Sequence, residues 1–245
     1  MTTSVKAFPM HPIPQSCRLA LVGVVMSGLA ACGGGGGGDS GFTQPPVGPA
    51  LCTAASTPIP DPGATAPQVT LTLSNGAGVS GNVVLTLDAN RAPVTVGNFL
   101  SYISSGFYNG TVIHRHAPGF VLQGGGFAGP LSAGAAAPPL KQTNAPIALE
   151  DNAGLSNVCL TVAMARTTDP NTATSQFFIN TANNTGLDRT AAGARGYAVF
   201  GSVTAGRAVV EAMTQAPCPA WPAYLGSGEC LPSPNITITN ALRTR

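Results

Sequence analysis

Val69, Leu71 and Leu73 alternate with Thr70 and Thr72, and the same two-residue beat resumes at Val83, Leu85 and Leu87. Alternation of this kind makes one face of an extended segment apolar and the other polar, so each segment reads as a half-buried strand. Ser74-Asn75-Gly76-Ala77-Gly78 lies between them and supplies the turn of a hairpin. Extended patterns recur over 110–126, at 160–164, 176–179 and 197–203, and at Ile236 and Ile238, which alternate with Thr237 and Thr239. Only two segments keep helical spacing. Val96, Phe99, Leu100 and Ile103 follow Pro93, whose fixed φ suits a first helical turn, and Gly106 stops the run. The second covers 207–213, where Ala208, Val209 and Ala212 are expected to face inward. Residues 127–146, mostly Ala, Gly and Pro, read as a long loop. Two helices among many short strands, without strand–helix–strand alternation or any internal repeat, predict a mainly β fold. Its form is a closed or nearly closed antiparallel barrel with two flanking α-helices.

Composition agrees with a packed domain. The chain of 245 residues is 44% hydrophobic and 8% charged, with 31 Gly and 22 Pro, whereas disorder needs low hydrophobicity. Removing Lys6 and Arg18, which lie in a segment expected to be cleaved, takes the 11 basic residues to nine and matches the 9 acidic ones. No run of Lys or Arg remains to neutralise phosphates, which argues against nucleic-acid binding.

The first residues look like an export signal. Lys6 and Arg18 precede an apolar run from Leu19 to Leu29, interrupted by Gly23 and Gly28, that is short for a membrane span. Leu29-Ala30-Ala31-Cys32 resembles the lipobox of bacterial lipoproteins. That resemblance implies cleavage before Cys32, lipidation of its thiol and a membrane anchor of several acyl chains, more stable than one. An ordinary signal peptide with a chance Cys is the alternative. Six glycines follow Cys32, as a flexible tether would require. The expected organisation is a signal peptide over 1–31, a Gly- and Pro-rich tether over 32–67 and a folded domain over 68–245.

Export implies an oxidising compartment, the cell envelope or periplasm, where cysteines pair. Cys52, Cys159, Cys218 and Cys230 allow three pairings, and free buried thiols stand as the alternative. Cys218–Cys230 would close a short loop, worth ~2–3 kcal/mol; Cys52–Cys159 would then pin the N-terminal extension to the domain.

Familiar catalytic constellations are missing. His114 and His116 would share a strand face, but no Cys-x-x-Cys or carboxylate cluster completes a metal site, so no metal is expected. There is no Gly-x-Ser-x-Gly elbow, and Gly124–Gly126 lack the Lys-Ser of a phosphate loop and read better as a tight bend.

Polar residues set among large apolar ones carry the remaining signal. The stretch 106–125, GFYNGTVIHRHAPGFVLQGG, resembles the signature region of cyclophilins. LTVAMAR at 160–166, ATSQFFIN at 173–180 and GYAVFGSV at 196–203 follow in family order, so the resemblance covers about 68–242 and is nearest the bacterial exported branch. It implies a cyclophilin-like barrel, peptidyl-prolyl cis/trans isomerisation without a cofactor, Pro-containing polypeptide partners and a monomer.

The chemistry fits those residue types. Rotation about an X-Pro amide meets a barrier of ~18–20 kcal/mol and breaks no covalent bond. A catalyst must favour the twisted amide, and an always-charged Arg with a fixed fork of donors suits that task. The resemblance gives this role to Arg115 and a substrate hydrogen bond to Gln123. It gives the proline pocket to Phe120, Val121, Phe178 and Leu187, and the substrate chain to Ala165 and Arg166. Tyr197 falls where some members have His, with a hydroxyl near the X-Pro carbonyl. Plain core packing is the rival reading for Phe120 and Phe178, a solvated position for Gln123 and a surface charge for Arg115. Tyr108 and His114 are read as structural, the latter hydrogen-bonded within the barrel.

Several positions depart from the family pattern. Gly186 stands before Leu187-Asp188 where many members carry Trp or Phe, which implies a missing wall and weak cyclosporin binding. Val121 replaces the usual Met, and His116-Ala117 an apolar pair. The segment between Cys218 and Cys230 is expected either to overhang the groove or to face away. A weakly catalytic Pro-peptide-binding module or envelope scaffold is the competing function, and a purely structural lipoprotein a third.

Overall fold

The computed structural model describes residues 51–52 and 62–245, all within one unit that spans Gly48–Arg245. Cys32 and the expected signal peptide lie outside the described residues. Eight strands run β1 Gln68–Ser74, β2 Ser80–Leu87, β3 Thr111–Ala117, β4 Val121–Ala128, β5 Thr161–Met164, β6 Phe177–Asn180, β7 Val199–Ala205 and β8 Ile236–Arg243. They close in the order β1-β2-β7-β5-β6-β4-β3-β8, every pair antiparallel. Closure falls to β8, which pairs with β1 on one side and β3 on the other. A closed sheet leaves no unpaired edge.

The alternation read in β1 and β2 is the inner face. Val69, Leu71, Leu73, Val83, Leu85 and Leu87 join Leu122, Val162, Ile179 and Phe200 in the main core. Burying each such side chain contributes roughly 1.5–3 kcal/mol before chain entropy is counted. Helix α1 (Pro93–Ser104) adds Val96, Phe99, Tyr102 and Ile103 to this core. Its free N-terminal N–H groups are capped by Glu150, whose carboxylate accepts from Val94 N at 3.1 Å and Thr95 N at 2.7 Å. Gly106, at φ 66°, releases the chain from the helix in a conformation that a side chain would disfavour.

Some boundaries differ from the sequence reading. Helix α2 spans Arg207–Gln215 and buries Val210 and Met213, whereas Ala208 is exposed and Val209 and Ala212 are only partly covered. The larger pair at i and i+3 sets the inward face, and the small alanines do not. Strand β4 continues through Ala128, so the loop begins at 129. Strand β8 runs past its Ile-Thr alternation to Arg243, because backbone pairing with β1 extends it.

The tether expected over 32–67 is held to the domain partway along. Leu51 is buried in the core, Cys52 is bonded to Cys159, and the Arg207 guanidinium donates to the Leu51 and Cys52 carbonyls. The second disulfide joins Cys218 to Cys230, with Cα atoms 5.3 Å apart. Around it Trp221, Leu225 and Leu231 form a small separate core with Leu131, Ala133, Ala137 and Tyr224.

Candidate active site

Strand register builds the site. Arg115 on β3 stands opposite Gln123 on β4, Gln123 opposite Phe178 on β6, Phe178 opposite Ala163 on β5, and Ala163 opposite Val199 on β7. Directly paired residues share a sheet face, so these five form one row across five strands. Their neighbours Leu122, Ile179 and Val162 point into the main core, which leaves the row on the outer face. There Ala117, Val121, Ala163, Phe178 and Val199 make a second buried cluster, with Phe120, Ala165, Leu187 and Tyr197 partly exposed against it. The apolar residues expected to bind substrate are thus gathered in one place.

The row ends in polar groups. Arg115 Nη1 donates to Gln123 Oε1 at 3.0 Å, and Gln123 Nε2 donates to Gln176 Oε1 at 2.9 Å. Arg115 Nη2 donates to Glu229 Oε1 in an ion pair whose side chains are 15% and 24% exposed, dry enough for the pair to resist solvent screening. Burial alone would raise the Glu229 carboxyl, but the hydrogen bond and charge of Arg115, with the Gly226 backbone, outweigh it and hold it below the usual value. Gln176 and Glu229 are absent from the sequence expectation. Gln176 lies in the ATSQFFIN stretch, which was its signal; Glu229 had only its place beside Cys230. The glycines of β4 admit this packing. A Cβ on Gly126 would lie 2.8 Å from Gln176 Cδ, and Gly125, at φ 81°, would put one 2.8 Å from Tyr108 Cε1.

His114 and His116 sit beneath and beside Arg115. His114 is fully buried, edge-on to Phe127 at 4.9 Å and near Tyr224 at 6.2 Å. The expected hydrogen bonds are not made: neither ring nitrogen has a partner of normal geometry. The aromatic cage accepts an uncharged ring instead. Burial, reinforced by the Arg115 charge and partly offset by the Val112 backbone and Gln176 side chain, lowers its pKa to about 3. Burial also lowers His116, whose side chain lies with the Cys218 and Cys230 sulfurs inside a 4.8 Å cluster. The disulfide occupies both sulfurs, so that cluster offers a cation one free imidazole. Tyr108 is structural, with its hydroxyl donating to the Ser175 carbonyl at 2.7 Å.

The other end of the row is framed by loops. Arg166 lies over the Tyr197 ring at 4.6 Å, and Tyr197 meets Phe178 edge-on at 5.7 Å. Arg166 donates to the carbonyls of Gly196 at 3.0 Å, Arg195 at 2.9 Å and Thr167 at 2.8 Å, so its fork holds the loop that carries Tyr197. Beneath that loop the buried Asp151 carboxylate meets Arg189, Arg195 and the Gly196 N–H. Asp188 is tied to Ser156 and Asn157, which fixes Leu187 from one side. Gly186 is exposed, and a Cβ there would meet nothing within 4 Å.

Residues 69–241 match the family described as "Cyclophilin type peptidyl-prolyl cis-trans isomerase/CLD". Peptidyl-prolyl cis-trans isomerase A of Dickeya dadantii is 44% identical over 164 residues, 66% of this chain and 79% of that protein. Peptidyl-prolyl cis-trans isomerase cyp18 of Streptomyces antibioticus is 48% identical over 136 residues, 55% of this chain and 78% of its own length. Among solved structures, a Cryptosporidium parvum cyclophilin type isomerase crystallised in the presence of the dipeptide Ala-Pro superposes with a TM-score of 0.55. It has 21% identity and covers 73% of this chain and 99% of that one, a likeness of fold.

Proposed function

The chain belongs to the cyclophilin-type peptidyl-prolyl cis-trans isomerases and catalyses rotation of X-Pro bonds, and from that premise we propose how its residues divide the work. The proline ring lies on Phe178, between Phe120, Val121 and Leu187, with Tyr197 at the rim. Gln123 bonds the substrate backbone. Ala165 borders its extended chain, and Arg166 supports that border by holding the Tyr197 loop. Arg115 has five N–H groups, of which Gln123 and Glu229 engage two, leaving three for the amide. As the C–N bond twists, the prolyl nitrogen gains a lone pair and the planar resonance is lost. A half-dry guanidinium favours that charge distribution over the planar amide, and each 1.36 kcal/mol of preference is worth tenfold in rate. No nucleophile or metal takes part.

The observation that carries this reading is the row itself: a cation fixed at one end of a paired strand face, followed by the Gln123 amide and then by the apolar Phe178, Ala163 and Val199. Titrating the labelled protein with a short Ala-Pro-Phe peptide should perturb the amides of Gln123, Ala163, Phe178 and Val199 together. Shifts confined to other faces of the barrel would reject the assignment.

We further propose that the enzyme is an exported monomer, anchored through lipid on Cys32 and acting on Pro-containing polypeptides in the cell envelope. The lipobox resemblance and the oxidised cysteine pairs support this. Cys32→Ser should move the protein from the membrane fraction to the soluble one; unchanged membrane retention would contradict the anchor.

A further inference from the structure

The ion pair between Arg115 and Glu229 joins residues 114 positions apart, and Glu229 comes from the loop that the Cys218–Cys230 bond closes. Its placement follows from register. His116 and Cys230 exchange both backbone hydrogen bonds, His116 N to Cys230 O at 2.8 Å and Cys230 N to His116 O at 2.9 Å. Neighbouring residues on such a ribbon point to opposite faces. His116 and Cys230 therefore share one face, while Arg115 and Glu229 leave on the other, diagonally related and within reach of long side chains. The loop is pinned on every side of Glu229. Cys230 is bonded to Cys218, Leu231 N donates to Pro219 O at 3.0 Å, and Glu229 N donates to Gly226 O at 3.2 Å.

Arg115 thus has an acceptor at each end of its fork: the neutral Gln123 oxygen on Nη1 and the Glu229 carboxylate on Nη2. One neutral contact fixes a point on a long, rotamer-rich side chain, and a second contact at the far nitrogen fixes the guanidinium plane. We propose that Glu229 is the positioning residue for Arg115, holding its guanidinium in the orientation from which the remaining N–H groups meet the twisting amide. This rests on the catalytic role given to Arg115 above. Glu229 acts through Arg115, and the disulfide loop, far from the row in sequence, becomes part of the active site.

The test separates kcat from KM by NMR exchange on the Ala-Pro-Phe peptide for Glu229→Ala, Glu229→Gln, Arg115→Ala and the Arg115→Ala/Glu229→Ala double variant. Glu229→Ala should lower kcat about fivefold or more while KM stays within about twofold. Glu229→Gln keeps an acceptor oxygen at the same place and should restore kcat to within about twofold of wild type. The double variant should be no slower than Arg115→Ala, because Glu229 has no route to the substrate except through Arg115. Full kcat in Glu229→Ala, with Arg115→Ala impaired, would overturn the positioning role alone. Full kcat in both would remove the catalytic reading, and this inference with it. Additive losses in the double variant would also overturn it, by showing that Glu229 works independently.

Discussion

The two ends of the row are built differently. At the Arg115 end the long polar side chains are tied to one another, Arg115 to Gln123 and Glu229 and Gln123 to Gln176, while the uncharged His114 ring is sealed among aromatics. At the Gly186 end, Arg166 and Asp151 hold the main chain of the Tyr197 loop firmly, yet no side chain stands at Gly186 itself. Paired strands, with the disulfide-closed loop that carries Glu229, set the first end, and hydrogen-bonded loops set the second. A barrel face can therefore hold its chemistry rigidly while the grip on substrate stays adjustable, because the loop end changes without disturbing the register.

The contrast can be tested from both sides. The largest effect should come from beneath the closed end. His114 takes up a proton at about 3 in the fold and near 6.5 in the unfolded chain, so its contribution is complete above pH 6.5 and is lost as pH falls below that value. The loss should reach roughly 2 kcal/mol by pH 5, where most carboxylates are still ionised. Urea unfolding of wild type and His114→Phe at pH 7 and pH 5 measures it; parallel pH slopes would show that the ring is not sealed. A smaller effect is expected at the open end. A Cβ at Gly186 meets nothing within 4 Å, and Gly186→Trp should lower KM for the peptide about fivefold, change kcat less than about twofold and strengthen cyclosporin binding. An unchanged KM would mean that no substrate surface passes Gly186. Smallest of all, Tyr197→Phe keeps the ring against Phe178 and should cost kcat/KM about threefold or less, the worth of one neutral hydrogen bond. A much larger loss would give the hydroxyl a part in the chemistry.

The same division explains what could be read in the sequence. The β1–β2 hairpin and helix α1 were legible because alternation, Pro93 and Gly106 are local signals. Barrel closure was only half legible, since it depends on β8 finding β1 and β3 across the whole chain. Arg115, Gln123 and the apolar members of the row were legible through contiguous motifs. Glu229 was not, because it reaches Arg115 through an isolated bridge between His116 and Cys230 that no periodicity announces. His114 was misread for a related reason: a buried His suggests a hydrogen bond, whereas the cage that keeps it uncharged comes from Phe127 and Tyr224, distant in sequence.

The central claim is that Arg115 lowers the barrier to rotation by acting on the twisted amide and not by holding the peptide. Exchange NMR on the Ala-Pro-Phe peptide, with peptide affinity measured on the same samples, tests it in wild type and Arg115→Ala. Catalysed exchange should fall at least about tenfold, and toward a hundredfold, while the dissociation constant stays within about threefold. Exchange that proceeds at the wild-type rate in Arg115→Ala would contradict the account.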